Sequence, residues 1–264
     1  MKAVASAIVK ARIPGSTKIQ DSKLFSQVDS VDAAYAVQDA IIKNGGCGIL
    51  RGWKCGPTKP NPRRGPLFSS YIHDSGAFFD VTKVAVIEAE IGFVIGTSMP
   101  PLAGNGVRSA KQVASSISSV FCAMEVCGGR LGFTNPQPFH KLADCAFNIG
   151  VVTGKMHPAS MFNLEQLSEV ECSLKKNGAS VANGKGSSGA VVGPQGAHPL
   201  ESLTWLVNHL NSRGLTLQSG QIVITGAAAL YKGPFSDGDD FEVVVGGGVG
   251  TVAAKLVAPA KSRL

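Results

Sequence analysis

The chain has 264 residues, 44% of them hydrophobic and 16% charged, with 32 glycines and a formal net charge of +7. Such a length buries a sizeable core, and no apolar run reaches the ~18 residues of a membrane span, so a globular protein outside the membrane is expected. The basic residues are scattered, with "NPRRG" as a local pair, few aromatics and no nucleic-acid motif. Their charge reads as a preference for small anions or a merely basic surface, with no nucleic acid as partner.

In chain order, "MKAVASAIVKARIPG" reads as a helix and not a secretory leader, because its apolar stretch is short and Lys10 and Arg12 follow at once. "DSVDAAYAVQDAIIKNGG" is a second helix, capped by Asp29 or Ser30, with Ala34, Val37 and Ile41 on its apolar face and Gly45 at its end. The stretch from Gly52 to Gly65 is rich in Gly and Pro and too irregular for a helix. "KVAVIEAEIGFVIG" is a buried strand ended by Gly96, "TSMPPLAGNG" is a loop, and an amphipathic helix is expected around Val113 and Ile117. "SVFCAMEV" and "FNIGVVTG" are strands, and Asn177-Gly178 is the strongest hairpin signal in the chain. "HPLESLTWLVNHLNSRG" is a helix with Pro199 in its first turn and Gly214 as its cap. "QIVITGAA" and "DFEVVVGGGVGTVAAKL" close the chain as strands, and "GGGVG" lacks the residues of a phosphate loop and marks bends between strands. The class is α+β, with helices mostly before residue 83 and short strands dominating after it.

Six cysteines, Cys47, Cys55, Cys122, Cys127, Cys145 and Cys172, form no C-x-x-C pair. They read as reduced thiols of an intracellular protein. The terminal Ser262-Arg263-Leu264 has the small–basic–Leu form of a peroxisomal (or glycosome-like) import address. A chance tail on a cytoplasmic protein is the plainer alternative.

The chemistry centres on the strand "KVAVIEAEIGFVIG". Period-two alternation puts Val84, Val86, Glu88 and Glu90 on one side, while Ala85, Ile87, Ala89 and Ile91 make the other side apolar. Two buried like charges so close together are costly unless a cation compensates, and two carboxylates suit a hard divalent ion such as Mg²⁺ or Mn²⁺. A solvent-facing strip of glutamates is the bland alternative, weakened by apolar residues on both faces. Glu125 stands alone in a second apolar strand and supplies a third acid. Lys54, in "RGWKCGPT", sits in a glycine-framed segment from which it could serve as proton donor or anion clamp, or else lie on Trp53 as a surface lysine. The histidines read as bland; His73 is a distant candidate for activating water, and His140, His157, His198 and His209 are not singled out.

"AYAVQ" (34–38), "GWKCG" (52–56), "EAEIGFVIG" (88–96), "AMEV" (123–126), "NG" (177–178), "WLVNHL" (205–210) and "ITGA" (224–227) fall in one order over almost the whole chain. That ordered set resembles the 2-keto-4-pentenoate hydratase and 4-oxalocrotonate decarboxylase branch of the fumarylacetoacetate hydrolase superfamily. The resemblance implies a mixed β-sandwich roll with a helical N-terminal portion, usually homo-oligomeric, holding one Mg²⁺ or Mn²⁺. In those terms the chain is one domain, mainly helical over 1–66, a catalytic β-roll over 67–258 and a flexible tail over 259–264. The implied metal ligands are Glu88, Glu90 and Glu125, and the implied catalytic lysine is Lys54. Phe68, Asp144, Thr225 and Gly226 are the implied substrate contacts beside Lys54, although Cys145 stands where the pattern has Asn after Asp144.

Two departures matter. Leu67 occupies the place of the acid that manages water addition in hydratases, and Asp74 is out of register for that role. "EVCGGR" replaces the common "EIVDSR" and keeps only Arg130 of its polar residues beyond the glutamate. The resemblance implies a lyase acting on a small 2-oxo (2-hydroxy-dienoic) acid through a metal-stabilised enolate, most like 2-oxopent-4-enoate hydratase. Decarboxylation of a 4-oxalocrotonate or oxaloacetate type, acylpyruvate hydrolysis, and a non-catalytic subunit associating with a partner enzyme of the same pathway are the alternatives.

Overall fold

The computed structural model describes residues 1–13, 15–57, 62–194 and 196–259, so the terminal Ser262-Arg263-Leu264 lies outside the described residues. Two helices come first, α1 (Lys2–Ala11) and α2 (Val31–Asn44). In α2 the Ser30 hydroxyl accepts the Ala33 N–H at 3.2 Å, and Gly45 ends the helix at φ +71°, a conformation glycine adopts without a Cβ penalty. The Gly- and Pro-rich segment, expected not to be helical, contributes to strands β1 (Leu50–Gly56) and β2 (Arg63–Phe68). Glycine is needed in β1 because a Cβ on Gly52 would overlap the carbonyl oxygen of Ile222 on the adjacent strand.

There follow β3 (Ile72–Asp74), β4 (Ala77–Asp80), β5 (Val86–Ile95), α3 (Ala110–Ala114), β6 (Ile117–Cys127), α4 (Pro138–Ala143), β7 (Asn148–Thr153) and β8 (His157–Pro158). Then come β9 (Glu171–Lys176), β10 (Ala179–Lys185), β11 (Val192–Gly193), β12 (Gly196–Ala197), α5 (Pro199–Ser212), β13 (Ile222–Ile224), β14 (Ala229–Tyr231), β15 (Asp240–Val245) and β16 (Gly250–Val257). Between β9 and β10, Asn177 and Gly178 both take positive φ (+51° and +81°), as a tight hairpin turn of the primed kind requires. Two expectations are corrected. The helix α3 stops at Ala114, and Ile117 opens β6. Val84 precedes β5 and packs on the main core, so it does not share a strand face with the glutamates.

Among the described residues the larger sheet runs β2-β1-β13-β5-β6-β7-β3, with β14 and β8 pairing β5 and β6, and a second sheet runs β10-β9-β15-β16-β4. Parallel pairs (β1 with β13, β3 with β7, β16 with β4) make both sheets mixed, and the architecture is α+β. The core between the layers takes Ile87, Ala89, Ile91 and Phe93 from β5, Cys122, Met124 and Val126 from β6, Val243 and Val252 from the second sheet, and Leu203 and Leu206 from α5. The other face of β5 and β6 therefore turns away from this core, and it carries the acids. The helices α1 and α2 bury a second cluster with Phe25, Phe68 and Leu142.

The helix α5 meets α2 through a column of rings and guanidinium groups. Trp205 stacks on His209 at 4.8 Å, Tyr35 lies 5.0 Å from His209, and Arg64 sits over both Tyr35 and Trp53. Burial, then the charges of Arg64 and Arg213, pushes His209 down from 6.5 to about 4, and its Nε2 is buried without a hydrogen-bond partner. Below pH 6.5 the unfolded chain takes up a proton that folded His209 refuses, so stability is full above that pH and falls as pH drops toward about 4. The loss amounts to about 1–2 kcal/mol once partial exposure is allowed for. His209→Gln is expected to flatten this part of the stability–pH curve, read from urea midpoints across the window; an unchanged slope would show that His209 does not titrate this way.

Candidate active site

Register assembles the acids. In the β5–β6 pair Glu88 lies directly opposite Glu125, Glu90 opposite Ala123, and Val86 opposite Cys127. Glu88, Glu90, Glu125 and Cys127 thus share one face, and Glu88 is within side-chain hydrogen-bonding reach of both Glu125 and Glu90. Glu90 and Glu125 are buried, at 1% and 0% exposure. The Glu90 carboxylate accepts the Gly226 N–H at 2.7 Å. Gly226 has φ +107° and a Cβ there would overlap the Gly189 carbonyl oxygen, so only glycine brings this N–H to the acid.

Lys54 arrives from β1, two strands away across β13. Its Nζ lies 2.6 and 2.5 Å from the two Glu125 oxygens, 3.2 Å from the Ala146 carbonyl and 3.8 Å from Cys127 Sγ. Burial alone would lower the Lys54 pKa, but Cys127, Glu125, Glu88 and Glu90 together hold it well above the ordinary value, so the ammonium is charged. The Ala146 carbonyl is aimed by a left-handed turn in which Cys145, Ala146 and Phe147 have φ of +50°, +53° and +69°. Non-glycine residues hold this conformation at a cost of roughly 1–2 kcal/mol each, and Gly65 leaves the space that the turn occupies. Asn148 Nδ2 donates at 2.8 Å to Glu125 Oε1, the same oxygen that accepts from Lys54 at 2.6 Å.

Three carboxylates faced by one ammonium leave negative charge in excess. Burial first, then Glu125, pushes Glu88 up to about 7, and burial followed by the charges of Glu125 and Glu88 holds Glu90 well above the carboxylate range. That strain is what a further cation would relieve. Oxygen atoms of Glu88 and Glu125 lie within 4.8 Å of each other and of Cys127 Sγ, a spread that one ion spans, so the residues present fit a divalent metal.

The acids open onto a cleft of about 360 Å³ lined by Lys54, Arg63, Glu88, Glu90, Ala146, Ser188, Gly189, Gly226 and Leu230 among others. Of the residues expected from sequence, Lys54, Glu88, Glu90 and Gly226 line this cleft, while Glu125 is fully buried and reaches it only through its pairing with Lys54. Thr225 is adjacent but spends its hydroxyl on the Ile91 carbonyl at 2.9 Å. Phe68 and Asp144, expected beside the substrate, do not line the cleft. Phe68 is buried with the N-terminal helices because it is the last residue of β2 on that side, and Asp144 is fully buried in an ion pair with Arg130. His73 packs edge-on against Phe79 away from the cleft. Arg63, Ala146, Asn148 and Cys127 were not singled out. Cys127 was legible, since it stands two residues after Glu125 on a strand; Ala146 was not, because nothing in "DCAFN" announces a left-handed turn.

No family model matches the chain. Among curated proteins, 4-oxalocrotonate decarboxylase of Pseudomonas putida is 31% identical over 202 residues, 74% of this chain and 70% of that one. The chain belongs to the hydratase and 4-oxalocrotonate decarboxylase branch of the fumarylacetoacetate hydrolase superfamily. The 2-keto-4-pentenoate hydratase of Paraburkholderia xenovorans is 31% identical over 173 residues, 64% of this chain and 58% of that one, so the match spans less than two thirds of that relative. The solved 4-oxalocrotonate decarboxylase of Pseudomonas putida G7, complexed with magnesium and adipate, superposes with a TM-score of 0.81 at 24% identity over 97% of each chain, and shares the fold. This branch of the superfamily comprises hydratases and decarboxylases of 2-oxo dienoic acids, which are lyases.

Proposed function

We propose that the protein is a divalent-cation-dependent carboxy-lyase acting on a small 2-oxo dicarboxylic acid of the 4-oxalocrotonate or oxaloacetate kind. The observation that carries this reading is the acid–base content of the cleft. Among its described lining residues Glu88 and Glu90 would be engaged with the cation, which leaves Lys54 as the proton-transferring group, and position 67 is a leucine buried with Phe121, Ala123 and Ile224. Adding water to a double bond calls for a second group to take a proton from that water. Releasing CO₂ does not: the electrons of the broken C–C bond pass into the 2-oxo group, and one proton must then reach the enolate.

Glu88, Glu90 and Glu125 would hold a Mg²⁺ or Mn²⁺ ion, whose contribution is Lewis-acid stabilisation of charge on the 2-oxo group. Lys54 Nζ, charged and at the cleft wall, delivers the proton. Arg63, in the same wall, presents a guanidinium to the substrate's second carboxylate. Gly226, by donating to Glu90, keeps that carboxylate turned toward its partners. The expected homo-oligomer and a pathway partner accompany this reading, supported by the family resemblance alone.

Hydration is the second reading, favoured by likeness to curated hydratases at 29–31% identity. The deciding experiment incubates the protein and Mg²⁺ or Mn²⁺ with 4-oxalocrotonate, oxaloacetate, 2-hydroxypenta-2,4-dienoate and acylpyruvates, and identifies products by NMR. Release of CO₂ that depends on the cation and is lost in Glu90→Gln is expected. Water addition to the dienoate without decarboxylation would transfer the assignment to the hydratases, and cleavage of acylpyruvates alone would make the protein a hydrolase.

A further inference from the structure

We infer that Cys127 Sγ is a donor to the same cation, and that the site therefore prefers a borderline, thiophilic divalent ion such as Co²⁺ or Zn²⁺ over Mg²⁺. This rests on the cation site proposed above and goes beyond it, because the resemblance supplies oxygen ligands only. Cys127 lies on the acid-bearing face of β6, opposite Val86. Its sulfur and one oxygen each from Glu88 and Glu125 are mutually within 4.8 Å, and Cys127 is 3% exposed. A positive charge already sits beside two of the three: Lys54 Nζ lies against both Glu125 oxygens and 3.8 Å from the sulfur. The ammonium thus stands in for a cation at a point that oxygen and sulfur share. Glu125 Oε2 is buried and is met by the Lys54 ammonium alone, with no hydrogen bond.

Other thiols of the chain are engaged differently. Those of Cys55, Cys122 and Cys172 point at backbone carbonyls. Coordination of Cys127 exchanges the S–H bond for a metal–sulfur bond and releases the proton to solvent. Mg²⁺ gains little from sulfur and demands oxygen, whereas Co²⁺ and Zn²⁺ accept mixed oxygen and sulfur sets. One soft donor among hard ones therefore shifts selectivity without abolishing Mg²⁺ binding.

The test uses the full chain. Co²⁺ is titrated into the wild type, Cys127→Val and Cys127→Ser, reading near-ultraviolet thiolate-to-cobalt charge-transfer absorbance, with Mg²⁺ and Co²⁺ affinities measured by calorimetry. The wild type is expected to show the band and both variants to lack it, and the preference for Co²⁺ over Mg²⁺ is expected to fall by about tenfold or more in Cys127→Val. Cadmium NMR of the wild type needs no variant to fold: a resonance displaced to the sulfur-ligated range supports the assignment. Co²⁺ binding without the band, or a cadmium resonance in the all-oxygen range, overturns the sulfur ligand and leaves the carboxylate site standing. Failure of both Co²⁺ and Mg²⁺ to bind overturns the cation site as well.

Discussion

Lys54→Met is expected to lower kcat by about 10²- to 10⁴-fold, the range for removing a positioned proton-transfer group. Methionine keeps the length and apolar stem while deleting Nζ, so the packing of β1 is disturbed little. The substitution has a second effect that separates chemistry from structure. Glu125 is fully buried and Lys54 is its ion-pair partner, so without a metal the variant leaves a buried carboxylate with no cation beside it. Breaking a buried pair costs about 3–5 kcal/mol. A divalent cation replaces the lost charge. Thermal melts with and without Mn²⁺ should therefore show a larger stabilisation by the metal in Lys54→Met than in the wild type, while activity stays low in both conditions. A variant that retains more than about a tenth of wild-type turnover would remove Lys54 as the proton donor.

Asp144→Ala is expected to destabilise the fold by about 3–5 kcal/mol, without Asp144 touching the cleft. Its carboxylate takes the Arg130 backbone N–H at 2.9 Å and Nε at 2.5 Å, and its carbonyl takes Nη2 at 3.2 Å. The same Nη2 also donates to the Asn148 carbonyl at 2.7 Å, where Arg12 Nη1 donates at 3.4 Å. Without the carboxylate, two buried guanidinium groups face each other across Asn148, and Asn148 is the residue that steadies Glu125. The measurement is the urea midpoint at unchanged m-value, with Asp144→Asn as the control that keeps shape and removes charge. The exposed pair Lys185–Glu169, at 53% and 68% side-chain exposure, gives the contrast, because Glu169→Ala should leave the urea midpoint close to that of the wild type. A loss at Asp144 as small as that would mean the buried pair contributes little to stability.

How much of this was legible in the sequence depended on whether the signal was local. The helices Val31–Asn44 and Pro199–Ser212 and the turn at Asn177-Gly178 carry their own caps and turn residues, and they fold where those residues placed them. The convergence of Glu88, Glu90 and Glu125 followed from alternation plus the guess that two strands are neighbours. The strands Leu50–Gly56 and Arg63–Phe68 were hidden, because glycine and proline disfavour strands in isolation and these persist through partners far away in sequence. Asp144 was assigned to substrate from a family likeness, and no periodicity could reveal that Arg130 would claim it instead. Cys127 was visible all along as a residue two positions after Glu125 on a strand, yet it was read only as one of six reduced thiols.

The ten residues of β5 answer to two masters. Odd positions from Ile87 to Ile95 fill the sandwich, while even positions Glu88 and Glu90 face the cleft. A slip of one residue in pairing would drive both glutamates into hydrocarbon and push isoleucines into the cleft, so misregistered chains are selected against by the groups reserved for chemistry. Evolutionary drift in this segment is hence constrained from both directions, and a laboratory library randomising it should return fewer folded clones than one randomising the hairpin strand Ala179–Lys185, whose side chains lie half-buried or exposed.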